Sequence, residues 1–519
     1  NAEKLFGGNS PVGLAQDGKS LADIKVVSSL EASKRTFARL LAPGSIALIS
    51  DTIGFLTILL INIRIIQELA ITASIGVAVI IFTNLLLLPI LLSYIRLRNP
   101  KAFRERQYEN GKKTGIIWPI VASFTRPRVA TIAVLAGAGL FAFAWIKSQD
   151  MQIGDSQPGV PELRPDARYN QDAQLISDRF ALGTDLISII AETVPGACTE
   201  SYAVMEAIDR FSWRMANVEG VQQVVSLTMV AKTVNAGWNE GNLRWKVLPR
   251  NEFIMRQNLQ NIETSTGLLN SDCSAMPIML FTTDHKAETI IRVVNAVREL
   301  REEIFVEELD FHPAGDIMDD LVMSEDEPCE DCLRFRLATG NVGVMAATNE
   351  EVEAAQLPML LYVYAAIIVL CLLTFRTILG TACIVLPLVL VSYMAYALMA
   401  YMGIGLKVNT LPVVALGVGI GVDYGIYIFS RMRAFMQDGY GLDEAYLRTL
   451  RLTGKAVFFT AITLAVGVGT WLFSALQFQA DMGVLLAFMF VFNMIGAMLL
   501  LPALARMLLA WKAPENSTG

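Results

Sequence analysis

The chain has 519 residues, 54% of them hydrophobic and only 18% charged, with a positive mean hydropathy. That balance excludes an ordinary soluble domain or a nucleic-acid binder and predicts a polytopic membrane protein. The formal net charge of −7 averages over unlike segments: residues 148–358 carry 35 acidic side chains against 16 basic ones, whereas the links between apolar runs are basic.

Residues 1–43 are polar and mixed, and 30–41 reads as a helix lying along the membrane surface. The opening NAEKLFGGNSPVG has no initiator Met and no apolar signal-peptide core, so the expectation is a chain that starts inside a longer gene product. Residues 13–20, GLAQDGKS, satisfy the P-loop pattern letter for letter. A working P-loop follows a buried strand and opens a helix of a parallel sheet. No apolar strand precedes Gly13, and the context speaks against nucleotide binding.

Apolar runs long enough to cross a bilayer, about 20 residues, follow at 44–63, 70–95, 129–146, 359–375, 378–402, 411–429, 457–476 and 484–508, eight in all. The link 96–128 has nine Lys or Arg and two Glu, which makes it cytoplasmic by the positive-inside rule. The acidic segment 148–358 then lies outside the cytoplasm. The link from Arg431 to Lys455 has five basic residues, and the tail 511–519 returns to the cytoplasmic side, where the sequon at Asn516 would not be glycosylated.

The run 409–433, NTLPVVALGVGIGVDYGIYIFSRMR, is an apolar helix with a single carboxylate, Asp423. An ionised aspartate at mid-bilayer costs about 2.5–3.5 kcal/mol on insertion scales, so such a residue marks a function or a satisfied packing contact. At 100° per residue Gly419, Asp423 and Tyr427 share one face, and Gly417, Gly421 and Gly425 form a small-residue ridge on another. Laying Pro89 on Pro502 without gaps brings Gly54 onto Gly467, Ser50 onto Thr463 and Glu68 onto Asp481, an internal repeat of the kind secondary transporters use.

The Asp423-Tyr424 pair in a glycine-rich helix, followed by Phe-Ser-Arg-x-Arg, resembles the RND superfamily of transporters, and within it the MMPL branch of predicted bacterial exporters. The resemblance implies a 12-span, two-repeat fold with Asp423 and Tyr424 in the proton pathway, and an extracytoplasmic α+β domain of ferredoxin-like subdomains. On that pattern 44–95 holds the last two spans of the first repeat and 96–128 a basic linker. The span 129–147 opens the second repeat, 148–358 is its porter-like domain, and 359–510 is a five-span bundle. The chain would be about two thirds of such a transporter, missing an N-terminal half and inactive without it, with the glycine ridge of the Asp423 helix left bare. Its implied setting is the bacterial inner membrane, its partners lipid, protons and a hydrophobic substrate. A homotrimer or periplasmic accessory proteins would complete the assembly.

Other polar residues have two readings each. Asp51, in LISDTIG, is a second relay group or a boundary residue capping or pairing with Arg or Lys. Thr460 and Thr463, one turn apart, resemble the polar relay of RND proteins, or back-bond to their own helix. In the external segment, strands at 186–192 and 221–227 flank a helix at 202–216. Strands at 278–283 and 309–313 flank another at 287–305, and 337–352 reads as a strand and helix re-entering the membrane. Trp213, Trp238 and Trp245 line a lipid path or anchor the core and loops. Four cysteines lie outside, with Cys329–Cys332 the favoured disulfide and Cys198–Cys273 a second. A zinc site at Cys329 and Cys332 would need a further ligand pair, and neither His285 nor His312 is spaced for one. Cys371 and Cys383 are packing residues. No catalytic constellation, cofactor motif or nucleic-acid signature is legible. The expected function is proton-driven export of a lipid, hydrophobic metabolite or drug; the alternative is a non-transporting sterol-sensing, receptor-like or translocation-accessory protein.

Overall fold

The computed structural model describes residues 29–61, 63–94, 102, 105–106, 117–156, 159–160, 162–180, 183–309 and 333–509. The GLAQDGKS stretch, Cys329, Cys332, His312 and the strand expected at 309–313 lie outside the described residues, apart from Leu309 itself. The chain divides into two compact units, Gln152–Glu350 and the helical segments on either side of it.

In the helical unit, α1 runs unbroken over Ser29–Thr57, so the surface helix and the first apolar run form one helix instead of two. It leads through a short 3₁₀ turn to α2, Arg64–Phe82, and then α3, Pro127–Ser148, begins with proline in its first turn, where no amide hydrogen is needed.

In the unit Gln152–Glu350 a helix at Arg168–Arg179 precedes β1, Asp185–Glu192, which is followed by α4, Tyr202–Met215, and β2, Val221–Val225. Two further helices, α5 (Leu227–Trp238) and α6 (Glu252–Leu259), precede β3, Ala275–Thr282. The long α7, Ala287–Leu309, and β4, Arg334–Thr339, complete it. The four strands form one antiparallel sheet in the order β2-β3-β1-β4, with Ile189 opposite both Ile278 and Leu337. Three of the expected strands, one unit's pair and the first strand of the other, thus lie in a single sheet among the described residues. Its fourth strand is 334–339, which is where the re-entry strand was expected.

Alternation dictates which way the sheet faces: Met276, Ile278, Leu280 and Thr282 are buried while their β3 neighbours are partly exposed. The helices answer with 3.6-residue stripes, Met205, Ile208, Phe211 and Met215 on α4 and Ile290, Val293 and Val297 on α7. Phe211 stacks on Phe335 at 4.3 Å between ring centroids. Gly340, at φ +97°, makes the turn out of β4; a Cβ there would strike the Leu186 carbonyl.

From that turn α8 runs over Asn341–Phe375 without a break. It is followed by α9 (Ile378–Met402), α10 (Leu411–Gln437), α11 (Lys455–Gly469) and α12 (Gln477–Ile495). Six helical segments are long and apolar enough to span a membrane; two shorter apolar helices, Gly44–Leu60 and Ile66–Phe82, accompany them among the described residues. The repeat appears in the backbone. Following α2, a π-helical turn at Thr83–Leu87 leads to a helix from Leu88; following α12, the same turn at Gly496–Leu500 leads to a helix from Leu501. Each wide turn precedes a proline, Pro89 or Pro502, whose ring cannot sit under the i−4 carbonyl of a tight α-turn.

Candidate functional site

The site is built on α10. Three neighbours pack on its glycines, each reaching ground that a side chain would occupy. A Cβ at Gly417 or Gly421 would run into Met489 and Asn493 of α12, and one at Gly425 would lie 2.9 Å from Ile384 of α9. On the third side Gly419 meets Gly54 of α1, each glycine's would-be Cβ lying within 3.8 Å of the other's Cα. The ridge of Gly417, Gly421 and Gly425 is thus buried, contrary to the expectation that it lies bare. Small residues at these positions let helix backbones approach where dispersion, not the hydrophobic effect, must hold helices together.

The Gly54–Gly419 contact sets the chemistry. One turn along each helix from it stand Asp51 and Asp423, close enough to act on each other electrostatically. The Ser50 hydroxyl donates to the Asp423 carboxylate. One oxygen of each acid, Oδ1 in both cases, is shielded from solvent and has no hydrogen-bond partner, and the Tyr424 hydroxyl beside them is likewise buried and unpaired. Tyr424 and Tyr427 both feel the two carboxylates. Asp51 is not a helix cap or the partner of a cation: it lies in the body of α1, and no Lys or Arg pairs with it among the described residues. The arrangement is two acids, a serine and a phenol on facing helices, sealed by glycine contacts.

Thr460 and Thr463 stand elsewhere. Both are exposed on α11, and their hydroxyls donate to the carbonyls of Ala456 and Phe459 at 2.8 and 2.7 Å. Two residues of the α10 surroundings went unmarked in the sequence. Ser50 was visible only as the repeat counterpart of Thr463. Asn493, whose Nδ2 donates to the Gly417 carbonyl at 2.8 Å, was visible only as the single amide in an apolar span.

In the unit Gln152–Glu350 Cys198 and Cys273 form a disulfide, closing a separation of 75 residues. Trp213, Trp238 and Trp245 are exposed at 68%, 62% and 51%, which rules out a core role for their rings. His285 is buried against Asp185, Nδ1 to Oδ2 3.0 Å. Cys371 and Cys383 are buried in the helical unit.

A helical unit with repeated apolar elements and a sealed acid pair on facing helices defines a polytopic membrane protein. Residues 336–518 match the MMPL family, and the resemblance carried by Asp423 and Tyr424 to MMPL-type transporters of the RND superfamily holds over that segment. A membrane protein of Methanocaldococcus jannaschii is 23% identical over 338 residues, 63% of this chain and 78% of that protein. The transport protein MmpL12 of Mycobacterium tuberculosis is 31% identical over 103 residues, 19% of this chain and 9% of its own length. The trehalose monomycolate exporter MmpL3 of the same organism is 42% identical over 64 residues, 12% of this chain and 7% of its own. The chain thus matches less than a tenth of either mycobacterial protein.

Proposed function

We propose that the chain is the proton-coupled part of an MMPL-type exporter of a hydrophobic or amphipathic substrate, in a bacterial inner membrane, with the unit 152–350 outside the cytoplasm. The observation that carries this is the pairing of Asp51 with Asp423 across the Gly54–Gly419 contact. Two acids that face each other without a cation are suited to hold a proton and pass it on, and Ser50 and Tyr424 supply the hydroxyls that complete a relay. Each change of charge at the pair alters the cost of keeping α1 and α10 together, because a buried charge is expensive and a shared proton relieves it. That difference is what a transporter converts into movement. The membrane potential adds about 2.3 kcal/mol per charge per 100 mV. In this reading the eight apolar helices, two of them short, belong to a 12-span fold, and the β2-β3-β1-β4 sheet is one ferredoxin-like unit of the substrate path. The named activity of MmpL3 favours a lipid as the substrate class.

The test is proton uptake by the protein in vesicles that enclose a pH-sensitive dye, started by an imposed proton gradient. Within the complete 12-span transporter, wild type should acidify the interior, and Asp423→Asn and Asp51→Asn should each abolish the uptake while the protein still folds. Uptake that survives either substitution, or a wild type that moves no protons, overturns the reading.

A further inference from the structure

The tryptophans excluded from the core belong to a larger surface. From the end of α5 to the start of α6, six large apolar side chains stand out from the external unit: Trp238 62%, Leu243 80%, Trp245 51%, Val247 50%, Phe253 76% and Ile254 43% exposed. They are held outward by local bonds. The buried Asn235 on α5 donates from Nδ2 to the carbonyls of Trp245 and Val247, at 2.8 and 3.1 Å. Asn242 caps the 3₁₀ turn over Leu243–Trp245 by accepting from the Arg244 amide, and Asn251 caps α6 by accepting from Phe253 and Ile254. The protein thus fixes the backbone of a ledge whose side chains it does not cover, a costly exposure for six large apolar groups.

The charge of the ledge is opposite to that of its surroundings. Residues 148–358 hold 35 acidic side chains against 16 basic ones, yet 227–259 holds five basic residues against two acidic ones. Arg244 and Lys246 alternate with the apolar residues Leu243, Trp245 and Val247, and both are exposed. Tryptophan and phenylalanine interleaved with Arg and Lys suit a layer that is apolar beneath and anionic above, the boundary zone of a bilayer. Both ends of the external unit continue into apolar helices, α3 and α8, so a lipid surface is always within tethered reach.

We propose that the ledge 238–254 docks onto an anionic phospholipid surface, with Leu243, Trp245 and Phe253 entering the headgroup layer and Arg244 and Lys246 neutralising its phosphates. This goes beyond the transport reading, and it stands whether or not Asp423 carries protons. Each basic residue near an anionic surface contributes about a fivefold gain in binding. The contact is weakened by salt as the screening length falls to about 3 Å at 1 M.

The experiment places an environment-sensitive fluorophore at Leu243→Cys in the full chain, with Cys329 and Cys332 replaced by serine, in nanodiscs. Its emission is compared in phosphatidylcholine alone and with phosphatidylglycerol added. With the anionic lipid the emission should shift to the blue and be quenched by a lipid-borne nitroxide, and Arg244→Glu with Lys246→Glu should reverse both. Emission unchanged by phosphatidylglycerol overturns the proposal. So does a shift that survives the charge reversal or 1 M salt, or one that appears only when a soluble protein is added. Proton uptake measured in parallel separates this outcome from failure of the transport reading.

Discussion

His285 gives the unit Gln152–Glu350 a side chain whose charge responds to pH. Its Nδ1 bonds Asp185 at the first position of β1, and the other oxygen of Asp185 accepts from Asn341 Nδ2 at 3.3 Å. Asn341 in turn accepts from the Leu186 amide at 2.8 Å, so the imidazole, the strand and the first residue of α8 form one cluster. Burial works against the protonated ring, but the hydrogen bond and charge of Asp185, with Asp155 and the Gly159 carbonyl behind it, prevail and push its pKa above the ordinary 6.5. Nearby, Asp284 is occupied by Thr289 and the Lys286 amide, and the Lys286 ammonium lies 3.7 Å from it. A raised folded-state pKa contributes stability that is fully present below the unfolded value and is lost as pH climbs through the folded one. The cluster should therefore loosen as pH rises above the ordinary histidine value of about 6.5. Hydrogen exchange at Leu186, corrected for its intrinsic pH dependence, should quicken above that value in wild type and be flat in His285→Gln. A flat wild-type profile would remove the ring from any sensing role.

At the scale of elements, the seams around α10 differ in how much they tolerate. Gly54 and Gly419 have room for one methyl, since their would-be Cβ atoms make ordinary contacts at 3.7–3.9 Å. Gly421 has none, because the Asn493 side chain fills the space. Gly421→Ala should lower the thermal midpoint in detergent by the cost of overpacking, about 1–3 kcal/mol, while Gly54→Ala should leave it nearly unchanged. Equal effects would mean that the two seams are not packed as described. Function should separate the positions differently: Gly54→Leu, which holds α1 off α10, should abolish proton uptake by parting Asp51 from Asp423 even where the protein still folds. The threonines teach the complementary lesson. A hydroxyl one turn from another is a relay only if something faces it, and Thr460 and Thr463 satisfy themselves on their own helix.

For the whole molecule, the placement of 152–350 outside the cytoplasm and the Cys198–Cys273 bond can be tested together. With Cys329 and Cys332 replaced by serine, an impermeant maleimide applied from outside should gain one labelling site after reduction, the partly exposed Cys273, because Cys198, Cys371 and Cys383 are buried. No gain from outside, with labelling only after permeabilisation, would reverse the topology. Cys198→Ser should cost the unit Gln152–Glu350 about 2–5 kcal/mol, the usual loss for a native disulfide, read from denaturant unfolding of the intact chain. A loss far below that would mean the bond constrains little.

What the sequence by itself determined is what short-range physics writes into it. Apolar length gave the spanning helices, because a bilayer admits no unsatisfied backbone. Period-two and period-3.6 patterns gave the strands β1, β2 and β3 and the helices α4 and α7, and a proline-anchored repeat gave equivalent turns before Leu88 and Leu501. Asp423 stood out because a lone carboxylate is costly wherever its helix packs. Long-range decisions were not legible. Nothing local says that Gly54 meets Gly419, so nothing local tells Asp51 as a boundary cap from Asp51 as the partner of Asp423. Nor does a strand's own pattern say which strand it will pair with, so the order β2-β3-β1-β4 could not be read from the strands alone. The tryptophans were ambiguous for the same reason: a ring's burial depends on what the rest of the chain brings over it, and at Trp238 and Trp245 it leaves more than half of each residue uncovered.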